Sequence, residues 1–390
     1  MNVKDYKPSY VVLPQKINSL EKLFALGIKN VDKLLALKQE HGIPFPLLTN
    51  DYYVNLINAD DSNDPLRQIV IPTEEELNIY FDIKKNEKKE SDKGSFDTSG
   101  EQTNLKAPGL QHKYASTALA LVSNVCAGLC RECFRKRIFF EGTSSSEETT
   151  FPNEAAINYL KKHKEINTIL LTGGDSLMLS DEAIKNLLDI LADKDLNHIH
   201  TVRFGSKVHA FYPQRITKEL INILKQYEHK TGKVIQVSTH FEHANELSPE
   251  SLKSLDMMHD AGLILYNQTV FLKGINDDAD TLYNLFSKLA EHGVRPYYLF
   301  QCRPVVGSLH QQISLVEGVN IYNDLCQRLT GLHKPFYAMS TKIGKMQIIG
   351  ISPEDENVVI LRKHSSKDVL GTGNILFYDT SKKDKFWYYA

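Results

Sequence analysis

A chain of 390 residues that is 42% hydrophobic and 24% charged holds enough apolar material for one large core with accessory elements. Its 46 basic and 48 acidic residues leave a formal charge of −2, so no overall field draws it to nucleic acid or to an anionic membrane surface. Early lysines at positions 4, 7, 16 and 22 break any signal-like apolar run, and nothing later approaches the roughly eighteen apolar residues of a membrane span. The expected location is the cytoplasm, where clustered thiols among five cysteines point to a metal or redox centre sooner than to a disulfide framework.

From residue 15 to 82 the pattern is helical, with Leu20, Leu23, Phe24, Ile28, Val31, Leu34 and Leu35 at three- and four-residue intervals. The run "KKNEKKESDKGSFDTSGEQTN", residues 84–104, has no aliphatic side chain and reads as a solvated linker or surface loop. From about 117 short apolar runs alternate with amphipathic stretches. "TALALVSN", "INTILLTGG", "HTVRFGS", "KVIQVSTH", "LILYNQTVFL" and "RPYYLF" predict strands, with helices near 155–164, 181–192, 214–227, 249–259 and 279–291. Six strands separated by helices imply a parallel α/β sheet, open or rolled into a barrel, whose functional loops follow the carboxyl ends of the strands. The aromatic tail "NILFYDTSKKDKFWYYA" predicts a terminal strand packed on the barrel or on a partner, with burial on the barrel favoured.

Polar residues gather where that rule places them. "CAGLCRECFRKR" follows the first strand, Gly173-Gly174-Asp175 the second, His240 and His243 the fourth, and Cys302-Arg303 the sixth. Any one of these has a plain structural explanation, since Gly-Gly makes turns and a loop histidine usually just hydrogen-bonds. Their common edge is what points to a site. Cys126, Cys130 and Cys133 are spaced C-x3-C-x2-C. Closed zinc sites use four protein ligands, whereas a cubane iron–sulfur cluster held by three thiolates keeps one iron open to a small molecule. The spacing favours the cluster; Cys302 and Cys326 read as small buried hydrophobes.

This motif after the first strand of an α/β barrel resembles the radical S-adenosylmethionine superfamily. The blocks "PGLQHKYASTALALVSNVCAGLCRECFRKRIF", "TGGDSLMLSD", "VRFGSKVHAFYPQRIT", "VSTHFEHANELSPE", "LYNQTVFLKGIND" and "RPYYLFQCRPVVGSLH" resemble, in order, those of its lysine 2,3-aminomutase family. The resemblance implies a partial (β/α)6 TIM-like radical SAM barrel over 107–335, a helical N-terminal region over 1–83, a polar linker or loop over 84–106 and a C-terminal strand extension over 336–390. It implies an isomerase that moves an α-amino group to the β-carbon, using a [4Fe-4S] cluster on Cys126, Cys130 and Cys133, S-adenosylmethionine and pyridoxal phosphate. Gly173, Gly174 and Asp175 then match the loop for the methionyl amino group, and His240 and Gln268 match positions beside the adenosyl moiety. A flavodoxin or ferredoxin would supply the electron; a homo-oligomer is left open.

Arg135 matches the clamp for the substrate α-carboxylate, a role suited to a planar donor fork; neutralising the cluster is its alternative. Lys136 and Arg137 read as solvated or cluster-shielding charges. Lys345 falls at the pyridoxal lysine, ahead of Lys342, although the family's glycine run is here "AMSTKIGKMQIIG". "HKYAS" puts Lys113 where the family has an arginine for the phosphate. Arg303 and Ala338 replace two aspartates that take the distal ammonium of lysine, so glutamate or another acidic or neutral amino acid is expected. A radical SAM enzyme lacking pyridoxal phosphate, and a non-catalytic metal-binding scaffold, stay as alternatives.

Overall fold

The helical signals at the start resolve into short pieces because glycine and proline interrupt them. The computed structural model describes residues 3–41, 46–84, 94–139, 150–366 and 373–389. After a two-residue strand β1 (Lys16–Ile17) come α1 (Leu20–Ala25) and α2 (Val31–His41). Gly27, with φ +77, turns the chain between them in a conformation that L side chains resist. That break rotates Phe24 out of the predicted apolar stripe, leaving it 56% exposed while Leu20, Leu23, Ile28, Val31 and Leu34 are buried. Strand β2 (Thr49–Asn50) pairs with β1. Three helices follow, α3 (Asp51–Val54), α4 (Pro65–Val70) and α5 (Glu74–Lys84); Asp64 caps α4 with Pro65 in its first turn.

The rest is one twelve-stranded sheet in chain order. Its strands are β3 (Leu105–Ala107), β4 (Leu110–Tyr114), β5 (Thr117–Ser123), β6 (Thr168–Gly173), β7 (Thr201–Gly205), β8 (Val234–Thr239), β9 (Ile264–Phe271), β10 (Val294–Gln301), β11 (Phe336–Thr341), β12 (Gly344–Ser352), β13 (Asp355–Ser365) and β14 (Ile375–Asp379). From β5 to β11 every pairing is parallel; the strands at either end are antiparallel. The crossovers carry α6 (Glu154–Lys162), α7 (Asp181–Leu191), α8 (Val208–Phe211), α9 (Lys218–Thr231), α10 (Pro249–Asp260), α11 (Ala279–Glu291) and α12 (Leu315–Arg328). In α7, Ser180 caps the first turn and Ile184, Leu187, Leu188 and Leu191 are buried; each such side chain contributes about 1.5–3 kcal/mol of burial.

The six predicted parallel strands are β5 to β10. A seventh, β11, continues them through α12, so an extension expected to begin at 336 instead opens with a strand hydrogen-bonded to β10. β14 lies at the edge, with Ile375 and Phe377 exposed rather than buried, while Trp387 beyond it is buried. The sheet is strongly curved. Although six strands separate β4 from β11, Lys113 on β4 donates to the Thr341 carbonyl on β11, and the Tyr114 hydroxyl lies 3.3 Å from Ser340 Oγ. Register places Thr172, Arg203, Gln236, Gln268, Tyr298, Ser340 and Lys345 on the same, concave face. Of the expected loop over 84–104, residues 85–93 lie outside the described residues; Thr98, Ser99 and Glu101 are buried, because Glu101 meets two arginines that sequence distance hides.

Candidate active site

The cysteine loop follows the carboxyl end of β5 and is anchored by its cations. Arg131 Nε and Nη2 donate to the two Glu76 oxygens at 2.9 and 2.7 Å, and Lys136 Nζ reaches Glu76 at 3.3 Å. Glu101 takes the other pair, Arg135 at 2.8 Å and Arg137 at 2.8 Å. Lys136 and Arg137, read above as solvated or cluster-shielding charges, are not solvated but almost wholly buried, because two buried carboxylates are there to receive them. Burial pushes the Glu101 carboxyl up, yet Arg135 and Arg137 overcome it and hold it at about 2. Four cations against two carboxylates leave a positive excess beside three thiols, each pushed up first by burial.

The Gly173–Asp175 turn packs directly under this loop. A side chain on Gly173 would meet the Ser123 carbonyl at 2.3 Å, and one on Gly174 the Val125 carbonyl at 2.7 Å, so both glycines are fixed by close backbone approach. Asp175 is committed to the backbone, accepting from Leu177 N at 3.0 Å and Lys207 N at 2.7 Å. This carboxylate, matched above to the loop for the methionyl amino group, ties the turn after β6 to the turn after β7 through these two bonds.

A buried charge network lies beyond it. Lys207 Nζ pairs with Glu242, with Glu246 at 2.9 Å and with the His240 carbonyl at 3.1 Å. Burial opposes its charge, but Glu242 and Glu246 carry it well above the usual lysine range. His240 Nε2 lies 2.7 Å from Glu242, while His243 caps the short helix after it. Glu132, between two of the cysteines, is buried, and among the described residues neither carboxylate oxygen accepts a hydrogen bond from another residue. Gln268 is half-buried on β9.

At the far side of the concave face sits Lys345. Its ammonium faces the rings of Tyr298 at 4.5 Å, Tyr114 at 4.9 Å and Phe300 at 5.8 Å. Burial, then Arg203, Arg303 and Lys113, push it down to about 7. Lys342 is exposed in the turn between β11 and β12. Lys113 is also pushed down to about 7, first by burial and then by Arg303, and two of its N–H groups go to the carbonyls of Ser99, at 2.8 Å, and Thr341. Arg303 stacks on Phe134 at 3.8 Å and donates to Ser99 Oγ. Ala338, buried beside Phe300, brings no polar atom.

Arg135 is oriented rather than free. Nε and Nη2 bind Glu101 at 3.0 and 2.8 Å and Nη1 binds Thr172 Oγ1 at 2.7 Å. Of a guanidinium's five N–H groups, three are engaged in these bonds among the described residues, which leaves one on each terminal nitrogen.

No protein-family model matches the chain. A putative L-lysine 2,3-aminomutase of Aquifex aeolicus is 37% identical over 86% of this chain and 84% of that one. The L-lysine 2,3-aminomutase of Clostridium subterminale is 34% identical over 80% of this chain and 70% of its own length. The chain belongs to the radical S-adenosylmethionine lysine 2,3-aminomutase-like family. The family also includes a glutamate 2,3-aminomutase, that of Clostridioides difficile, 31% identical over 84% of this chain and 72% of that one. Membership implies an iron–sulfur cluster and S-adenosylmethionine, and the cysteine loop and Glu132's unmet acceptors suit both. Sequence reasoning missed Glu76, Glu101, Glu132 and Arg203. Only Glu132, lying between two motif cysteines, carried a local signal. Among the described residues, His112, His163 and Glu165 bring ligand atoms within 4.8 Å, but His112 is already satisfied by Tyr159 at 3.0 Å and the Ala115 carbonyl at 3.2 Å.

Proposed function

We propose that this chain is an amino acid 2,3-aminomutase on a partial (β/α)6 barrel, using a [4Fe-4S] cluster, S-adenosylmethionine and pyridoxal phosphate, with an acidic amino acid as substrate. One observation carries the reading. Lys113, Arg135, Arg203, Arg303 and Lys345 converge on the concave side of the sheet, and among the described residues the only carboxylate ion-paired with any of them is Glu101. A site with that charge excess suits a phosphate together with one or two substrate carboxylates.

When bound, the cluster and S-adenosylmethionine supply a hydrogen-abstracting radical, and pyridoxal phosphate carries the migrating amino group. Cys126, Cys130 and Cys133 would hold the cluster. Lys345 is a fit attachment point because its lowered pKa leaves a large neutral share near pH 7, the form that attacks a carbonyl. The aromatic rings around it exclude water. Arg135 presents its remaining N–H pair to the α-carboxylate, with Glu101 and Thr172 fixing the plane. Arg303 is placed to receive a side-chain carboxylate. Two cations would oppose each other if lysine entered, and Ala338 provides no relief.

Anaerobic reconstitution tests this, with each amino acid assayed for its β-isomer by mass spectrometry. Glutamate is expected to turn over well and lysine poorly; efficient conversion of lysine alone would overturn the substrate assignment. A second reading, a radical SAM enzyme without pyridoxal phosphate, is favoured by the two backbone carbonyls that already hold Lys113. Borohydride reduction separates the two: an adduct on Lys345 supports the aminomutase, and none after reconstitution supports the alternative.

A further inference from the structure

Glu132 stands between Cys130 and Cys133 and takes no part in the pairing that satisfies its neighbours. Arg131 turns to Glu76 on α5, whereas the Glu132 carboxylate lies among Glu242, Lys207 and His240, at the ends of β7 and β8. It is 6% exposed, and neither oxygen accepts a hydrogen bond from another residue among those described. The nearby donors are committed: Lys207 to Glu242, Glu246 and the His240 carbonyl, and His240 Nε2 to Glu242. Buried carboxylates left without donors are rare, because desolvation is not offset. Two adjacent unmet acceptors beside two cluster thiols call for a ligand that brings two donors.

We infer that Glu132 holds the ribose diol of S-adenosylmethionine; this rests on the reading of the cysteine loop as the cluster that binds that cofactor. The choice among its donors follows from chemistry. The α-amino group, as its neutral amine, would be taken by the open iron that the family implies. The adenine amine stands beside a ring nitrogen acceptor on either edge, so a carboxylate meeting it would face a lone pair with its second oxygen. A vicinal diol offers two O–H donors and no such repulsion, and O–H donors to a carboxylate make short, strong bonds. Glu132 is therefore a cofactor-positioning residue, setting the ribose, and with it the 5′-carbon, relative to the cluster.

The test measures binding to the reconstituted protein by calorimetry, with S-adenosylmethionine, its 2′-deoxy analogue and its 6-desamino analogue as probes. Iron content and the cluster's absorbance are recorded alongside. The unmodified protein is expected to bind the deoxy analogue about ten- to a hundredfold more weakly and the desamino analogue nearly as well as the parent. Glu132→Ala should lose affinity for S-adenosylmethionine while keeping iron, and should no longer distinguish the deoxy analogue. Glu132→Gln, the closest in shape and the safeguard for folding, should show an intermediate loss. Equal discrimination against the deoxy analogue by all three proteins would overturn the assignment, as would selective loss of desamino discrimination in the variants. Failure of the unmodified protein to take up iron overturns the underlying cluster reading instead.

Discussion

The two cationic regions of this molecule are built on opposite principles. In residues 131–137 every basic side chain reaches a buried carboxylate, Arg131 and Lys136 through Glu76, Arg135 and Arg137 through Glu101. Across the concave face, Lys113, Arg203, Arg303 and Lys345 have no ion pair among the described residues. They hold backbone carbonyls, an amide, a hydroxyl and aromatic rings instead. Paired cations fix the cysteine loop in place; cations left without anions among the described residues are, on the proposed function, a site that an anionic ligand would complete. Burying unpaired charge is costly in the free protein, and on the proposed function anion binding would recover that cost, so the contrast would separate architecture from recognition.

The comparison can be broken most drastically at the metal. Cys130→Ala should abolish both the cluster absorbance and the cleavage of S-adenosylmethionine, and a variant that kept both would remove the basis for calling this end of the site architectural. Next in size, Glu101→Gln leaves Arg135 and Arg137 buried without their shared anion and should destabilise the fold by about 3–5 kcal/mol, read by chemical denaturation at pH 7. Because the Glu101 carboxyl is held at about 2, the stability it contributes is present above the unfolded carboxyl pKa and is lost as pH falls towards 2; the variant should be flat over that range.

On the unpaired side the sign reverses. Lys345 titrates at about 7 in the folded chain against about 10.4 unfolded, so the folded state resists its proton. The cost is fully present below pH 7 and fades as pH rises through the unfolded pKa. Lys345→Met is expected to stabilise the cofactor-free protein by about 2–4 kcal/mol at pH 6 and hardly at all at pH 10.5. A pH-independent effect would show that Lys345 is not held in this environment. The same variant should lose the borohydride adduct that Lys342→Ala retains. A comparable effect concerns selectivity: a repulsion of about 2–4 kcal/mol at Arg303 should lower turnover of lysine relative to glutamate roughly thirty- to a thousandfold. Arg303→Asp should erase the preference for the acid without creating lysine activity, since Ala338 supplies no second carboxylate; retained acid preference would place recognition elsewhere, with Arg203 the next cation to test.

Much of the scaffold is legible in the sequence because its signals are local. Strands β5 to β10 and the helices between them follow from periodicity and caps that span a few residues, such as Ser180 before α7 and Asp278 before α11. The seventh parallel strand was harder: "FYAMST" alternates weakly, with Tyr337 to Thr341 all buried, so it lacks the polar face that marks a half-exposed strand. Lys345 could be placed at a strand start from sequence, but its aromatic surroundings come from β4 and β10. Lys136 and Arg137 show the limit from the other direction. Nothing near them in sequence distinguishes a solvated charge from one buried against Glu76 or Glu101.

By itself, then, the sequence determined the order of the six central strands and the helices between them, the three-thiol spacing, the glycines beneath it and the family to which they belong, since each is encoded in contiguous residues or fixed intervals. Only the tertiary structure decided which charges are paired. Coulomb energy depends on separation and desolvation, and these are set when curvature of the sheet brings Lys113 to Thr341 and folding brings Arg135 to Glu101, 34 residues away in the chain.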